Sequence, residues 1–321
     1  MRITKLSENF SPIHEGIFFD IDTESSTPEN LTVEIIDTRS REVIATQLLR
    51  EVTYAKVNIA PYMARLNEYA PTSHKQTTFT AAPSQGYRIR INNIESEEIC
   101  VSVNHKKIAA TPSFISSQPL SRRISYGKSD ELLIFAPTGS RLSVEITANN
   151  GESIHVEHLA TSDVTTLAIS TGDFGSDIRS LEATLYCNGV AFGTLCYIVS
   201  RPLKTATHLA WISESGAIEQ YTFPSSHKSK KSVSRQLLST SNGVISTRCN
   251  TKESITVCSR FEPRATIESL AQIVSAPKVW MERESGFELV EVVSPTIDYN
   301  IFNEPDCIHF ELCSERKEVS L

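Results

Sequence analysis

The sequence predicts a mainly β protein. Two tandem β-sandwich modules, residues 1–117 and 118–203, precede a third β-rich domain, 204–321, with one short helix near 266–275. An internal repeat carries the tandem reading. Leu31, Val33, Glu34 and Ile35 meet Leu142, Val144, Glu145 and Ile146 at an offset of 111 residues. Val43 then meets Ile154 and Leu48 meets Leu159; after a one-residue slip Val52, Thr53 and Val57 meet Val164, Thr165 and Ile169. That period is about the length of one small all-β domain. The β reading rests on short runs in which apolar and polar residues alternate, the period of a half-buried strand. A helical period is convincing in one place only.

In the first module, 16–22 (GIFFDID) is a short apolar run and 31–37 alternates through Leu31, Val33 and Ile35. A polar turn at 37–42 leads to 43–49, and 52–59 alternates again. Pro61 marks a helix start that Pro71 keeps short. Residues 76–82 read as a loop or edge strand, 87–94 and 99–103 as a hairpin, and 106–109 as a further extended segment. Six or seven short strands suit a sandwich of the immunoglobulin or fibronectin type III kind, although the Cys…Trp…Cys of true immunoglobulins is absent.

Ser116-Ser117-Gln118-Pro119 is the expected joint, with Arg122 and Arg123 just after it. Strands are expected at 131–136, 141–148, 153–159, 165–170, 181–186 and 190–199. Asn149-Asn150-Gly151 and Asn188-Gly189 supply hairpin turns, since Asn and Gly tolerate positive φ.

The third region opens on the hairpin 209–223 (LAWISESGAIEQYTF), whose Trp211 and Tyr221 are placed to meet across it. Residues 225–234 (SSHKSKKSVS) read as an exposed basic loop, and 244–248 with 254–259 as a strand pair. Residues 266–275 form the helix: Thr266 caps it, Ile267, Leu270, Ala271 and Val274 share a face, and Pro277 ends it. A hairpin at 278–293 turns at Ser285-Gly286, and in the last strand Ile308, Phe310 and Leu312 face away from Cys307, His309 and Cys313.

Composition narrows the function classes. A net charge of −7 argues against broad nucleic-acid binding, which needs a basic face. No run approaches the roughly 18 apolar residues of a membrane span. Residues 1–16 have no apolar signal core, so cytoplasmic synthesis without secretion is expected. Seven cysteines then read as free thiols.

The chemical motifs mostly dissolve on inspection. Cys307 and Cys313 on one strand stand about 20 Å apart, too far to share a metal with His309. Cys249 and Cys258 flank an expected hairpin, where a reduced pair is favoured over a disulfide. His155-Val-Glu-His158 lacks the order and helix of a zinc protease, and Gly172-Asp173-Phe174-Gly175 reads as a turn without other kinase parts. Glu34 and Glu145 recur as outward strand positions, not as an acid–base pair. No motif implies catalysis, a cofactor or a metal. Interaction candidates remain: Lys228, Lys230 and Lys231 as an arm toward an acidic neighbour, and Trp211 with Tyr221 either as a hairpin-supporting pair or as a sugar platform.

Three phrases resemble structural, virion- or tail-associated proteins of phages and prophages of gut Bacteroidetes. They are VEIIDT…REVIAT…VTYAKVNIAPYMARL, the hairpin LAWISESGAIEQYTF, and IESLAQIVSAPKVWMERESGFELVEV. The last departs from that group's S-P-x-V-(W/Y) phrase by inserting Ala276 between Ser275 and Pro277. The resemblance implies a non-enzymatic tail, tail-tip or neck component of the virion, with other particle subunits as partners and a ring-like homo-oligomer as its form. It carries over no catalytic residue. The alternative is a module that binds a host surface or glycan.

Overall fold

The structure, a computed structural model, describes all residues except 8, 10–15, 64–69, 83–84, 102–111, 202, 241–242, 295–305 and 321. In the long C-terminal strands the side chains of 225–229, 231, 234–237, 240, 243, 245–253 and 314–320 are also set aside. The protein is mainly β, with 58% strand and 7% helix, arranged in several sheets.

The N-terminal third contains β1 (Arg2–Lys5), β2 (Phe18–Asp22), β3 (Glu29–Asp37), β4 (Val43–Val52), β5 (Tyr54–Asn58), the helical turn α1 (Ala60–Met63), β6 (Thr78–Ala81), β7 (Gln85–Ile91), β8 (Ile94–Glu95) and β9 (Ile99–Val101). A sheet of order β1-β2-β5 accompanies one of order β4-β3-β7-β8, with β9 also on β7. Their apolar residues meet in one core that includes Phe19, Ile21, Leu31, Val33, Ile35, Val57 and Ile89. The expected segment at 106–109 lies outside the described residues.

The central third contains β10 (Ser113–Ile115), β11 (Ser121–Ser125), β12 (Ser129–Phe135), β13 (Arg141–Ala148), β14 (Ser153–Leu159), β15 (Val164–Ser170), β16 (Ser180–Cys187) and β17 (Val190–Ser200). Its sheets run β10-β12-β15-β6 and β11-β17-β16-β13-β14. The two thirds pair alike: β3 lies between β4 and β7 as β13 lies between β14 and β16, and β2 pairs β5 as β12 pairs β15. The repeated residues Leu31, Val33 and Ile35 and their counterparts Leu142, Val144 and Ile146 are all at most 1% exposed. Each such side chain contributes about 1.5–3 kcal/mol by leaving water. The turn between β16 and β17 uses positive φ at Asn188 (50°) and Gly189 (80°), as a two-residue hairpin requires.

Two strands cross the expected boundary at residue 117. β10 pairs β12, and β6 leaves the N-terminal third to pair β15. Thr77 seats this strap: its N–H donates to Asp173 Oδ2 at 2.6 Å, and its hydroxyl accepts from Ser170 N. Asp173 thus belongs to a structural turn, a 3-10 turn over Thr171–Asp173 followed by buried Phe174.

The C-terminal third contains β18 (Thr207–Ile212), β19 (Ile218–Phe223), β20 (Ser225–Thr240), β21 (Gly243–Cys258), α2 (Arg264–Ala271) continued as a 3-10 turn (Gln272–Val274), β22 (Val279–Arg283), β23 (Gly286–Val292) and β24 (His309–Ser320). One seven-stranded sheet has the order β19-β18-β22-β23-β24-β21-β20. α2 packs Ile267, Leu270 and Ile273 onto Trp211, Phe223, Val257 and Phe310 in its core.

The structure departs from three expectations. The basic loop at 225–234 is the first part of the sixteen-residue strand β20. The strand pair at 244–259 is a single strand, β21, so Cys249 and Cys258 are separated by about 30 Å of extended chain and face no common hairpin. The helix begins at Arg264 after Pro263, not at a Thr266 cap; Thr266 and Ile267 both donate their N–H to the Pro263 carbonyl.

Candidate functional site: a buried ionic joint and a basic ribbon

The connector Ser116–Pro119 leads into β11, which pairs in parallel with β17 and sets Arg122 beside Tyr197. Arg122 is 5% exposed. Its Nη1 donates to Asp130 Oδ2 at 2.9 Å, its Nη2 to Ser116 Oγ at 2.6 Å and its Nε to the Pro119 carbonyl at 2.8 Å. Tyr197 donates its hydroxyl to the same Asp130 oxygen at 2.9 Å. From β19, Glu219 closes the joint. One carboxylate oxygen accepts from Ser117 N (2.7 Å) and Ser116 Oγ (2.9 Å), while the other stands 4.0 Å from Arg122 Nη1.

Two buried carboxylates therefore share one guanidinium. Burial raises the Glu219 carboxyl above its ordinary range, and Arg122 with the Ser117 and Ser116 donors opposes that rise. Burial also works against the Arg122 charge, but Asp130 and Glu219 overcome it and hold the guanidinium charged. Such a cluster stabilises little compared with an apolar core, but removing one member leaves a buried charge unpaired.

Two flanks extend the joint. Arg123 Nε lies 2.8 Å from Glu262 Oε1, which also accepts the Tyr221 hydroxyl at 2.9 Å. On the other side Lys128 contacts Glu282, which accepts from Ser73 Oγ at 2.9 Å. His208 is buried between Thr222 Oγ1 (2.9 Å) and Gln220 Oε1 (3.0 Å), and burial lowers its pKa despite the nearby Glu282. A crevice of ≈170 Å³ lined by Pro119, Ser121, Arg123, Glu262 and Thr266 opens beside the joint.

Trp211 and Tyr221 do not meet the needs of a sugar platform. They are 0% and 4% exposed, inside the core under α2. Nor are they directly opposed: Leu209 faces Tyr221 and Trp211 faces Glu219. Their position follows from the apolar face of β18 and β19, which α2 covers.

Lys228, Lys230 and Lys231 lie on β20, in register with Thr256, Ser254 and Glu253. The Lys230 side chain is exposed. β20, β21 and β24 continue as a three-stranded ribbon beyond Cys313, where β23 stops pairing with β24. At about 3.4 Å per residue, β20 is roughly 50 Å long. Its outer edge has no strand partner among the described residues. Residues 225–258 carry six Lys and Arg against one Glu, within a chain of net charge −7. Val233, Leu238 and Val244 on the ribbon are 45–65% exposed.

Cys307, His309 and Cys313 gather no metal set, and no group of three ligands forms among the described residues. His155 pairs with Glu157 at 3.2 Å on the exposed edge strand, and His158 stacks on Phe79. Glu34 binds Arg90 at 2.7 Å, within a polar groove whose Arg88 and Arg90 are paired with carboxylates. No helix is long and apolar enough to cross a membrane among the described residues.

Sequence reasoning noticed Arg122 and Arg123 only as neighbours of a joint. It missed Asp130, Glu219 and His208. A signal existed in Glu219, the one charged residue in the 217–223 run of Ala217, Ile218, Tyr221 and Phe223 with only Gln220 and Thr222 as other polar members.

No family model matches the chain, and no curated protein matches it. Among solved structures, the chicken interferon gamma receptor alpha chain is similar at 13% identity, covering 61% of this chain and 97% of that one, with a TM-score of 0.19. Domains 4–9 of the surface layer protein SbsC are similar at 10% identity, covering 90% of this chain and 54% of that one, with a TM-score of 0.22. Scores this far below 0.5 establish no common fold with either.

Proposed function

We propose that this chain is a non-enzymatic structural component of a larger assembly, acting through subunit contacts that the basic ribbon makes. The single observation behind this reading is that ribbon: a long, net positive, open-edged extension of an otherwise acidic chain. An open edge offers main-chain hydrogen bonds to a neighbour, and its charge suits an acidic one. The buried joint supports the same reading, since it holds the β units in one alignment from which the ribbon projects.

Within this proposal the first two units, 1–117 and 118–203, are duplicated sandwiches of the immunoglobulin or fibronectin type III kind, and 204–321 is the contact domain. The shared strand pairing and the buried repeat residues support the duplication. The setting is that implied by the resemblance, a phage or phage-derived particle, at the tail, tail tip or neck. Partners are other particle subunits, including further copies of this chain. The glycan-binding alternative loses its candidate residues with the burial of Trp211 and Tyr221.

Peptide mass spectrometry of purified particles from an induced lysogen tests the proposal. Recovery at a fixed copy number relative to the major capsid protein is expected. Recovery only in the particle-free lysate would sink the virion-component reading.

A further inference from the structure

We propose that Cys258 and Cys307 are a disulfide-forming pair that takes its oxidising equivalents from a low-molecular-weight disulfide such as oxidised glutathione. The placement is set by backbone register. Cys258, the last residue of β21, lies opposite His309. Ser259 N donates to the Ile308 carbonyl at 2.9 Å, and Ile308 N donates to Ser259 Oγ at 2.9 Å. Val257, Ser259, Ile308 and Phe310 all point into the core. Strand alternation therefore puts Cys258 and Cys307 together on the outward face. Cys307 stands diagonally across from Cys258, two residues before its partner His309, a spacing within reach of neighbouring side chains. Both are partly exposed, so a small oxidant can reach them, whereas Cys187 and Cys313 are buried.

The reaction balances within the components named. One protein thiolate attacks the oxidant's sulfur, forms a mixed disulfide and releases one glutathione thiolate. The second protein thiolate then displaces the other glutathione. One protein S–S bond forms, two S–H bonds are lost, and the oxidant is reduced to two thiols. Burial, then the adjacent Cys307 thiol, raises the Cys258 thiol above its ordinary value, which keeps its thiolate scarce and the first step slow at neutral pH. The bond joins the root of the ribbon to the start of β24, closing a loop that holds α2 and the β22–β23 hairpin. Disulfide closure acts on the ribbon's attachment and is independent of which assembly the ribbon joins.

The test treats the full chain with oxidised glutathione, blocks remaining thiols, and maps peptides without reduction. The expected result is a cross-linked peptide pair containing Cys258 and Cys307, with a thermal midpoint raised by about 5 °C and restored by dithiothreitol. Cys258→Ser and Cys307→Ser should each abolish the cross-link, while Cys196→Ser, at an exposed site, should leave it intact. Cross-links that join either cysteine to a different partner would overturn the proposal. So would a chain whose Cys196 is glutathionylated while Cys258 and Cys307 both remain alkylatable.

Discussion

The ionic joint and the ribbon are both made by extended chain, but they are held by different forces. At the joint, Arg122, Asp130 and Glu219 are each at most 5% exposed, and Arg122 with Glu219, Asp130 with Tyr197 and Glu219 with Ser117 are ties between residues distant in sequence. On the ribbon, β20 is held by main-chain bonds to β21, with Lys230, Val233 and Leu238 open to solvent. Desolvated charge makes the loss of any one partner in the first region costly. The second presents its described side chains Lys230, Val233, Leu238 and Val244 to solvent, where a partner can reach them. Stability should therefore respond to the joint and assembly to the ribbon.

The largest expected effect follows from removing the shared cation. Arg122→Met leaves Asp130 and Glu219 buried without their partner and should cost about 3–5 kcal/mol in urea unfolding. A loss within the range of surface substitutions would show that the joint opens readily to water.

A second test uses pH. His208 titrates below its ordinary value of 6.5 in the folded chain, facing Gln220, Thr222, Glu282, Lys128 and Asp130. The unfolded chain then binds the proton first. Stability is full above 6.5, falls as pH drops below it, and stops falling on this account once the folded ring also titrates. Glu282 adds a separate loss at lower pH: Lys128, His208 and Ser73 lower its pKa against the opposing effect of burial, so its contribution fades as pH falls below 4.5. His208→Gln should flatten the dependence between pH 6.5 and 5 in urea midpoints, and shrink but not remove the Glu282 step, which Lys128 and Ser73 still support. An unchanged slope would place the transition elsewhere.

The smallest effect on stability is expected from the ribbon. Joining Lys230 to Ser254 through Asn-Gly and ending the chain at Ser314 removes its distal part at a paired register. Unfolding free energy should change by about 0.5 kcal/mol or less. Self-association measured by analytical ultracentrifugation, or incorporation into particles, should be lost. Lys230→Glu should weaken the same association at unchanged stability, and more strongly at low salt. A large loss of stability in either variant would mean that the ribbon packs on the body of the chain.

Much of the strand pattern was legible because a buried face leaves a period of two. β13 and β14 match their expected spans residue for residue, and the turn at Asn188-Gly189 declares its positive φ in its residue types. β20 was illegible for the complementary reason. Its SSHKSKKSVS opening has no apolar face, and its pairing is carried by backbone groups common to every sequence. The Cys249–Cys258 pairing was misread from the same cause, since a polar strand looked like a turn.

The sequence by itself determined that the chain is mainly β, that residues 31–59 and 142–170 share a hydrophobic pattern, and that a helix lies near 266–275. Those properties are local, set by side-chain period, turn chemistry and proline. Tertiary structure alone decided that β6 and β10 join the sheet of β12 and β15, that Trp211 and Tyr221 are buried, that Arg122 gathers Asp130 and Glu219, and that Cys307 lies diagonally across from Cys258. Each depends on which strands become neighbours across tens of residues, and a local period of two marks a strand's buried face without naming the strand it pairs with.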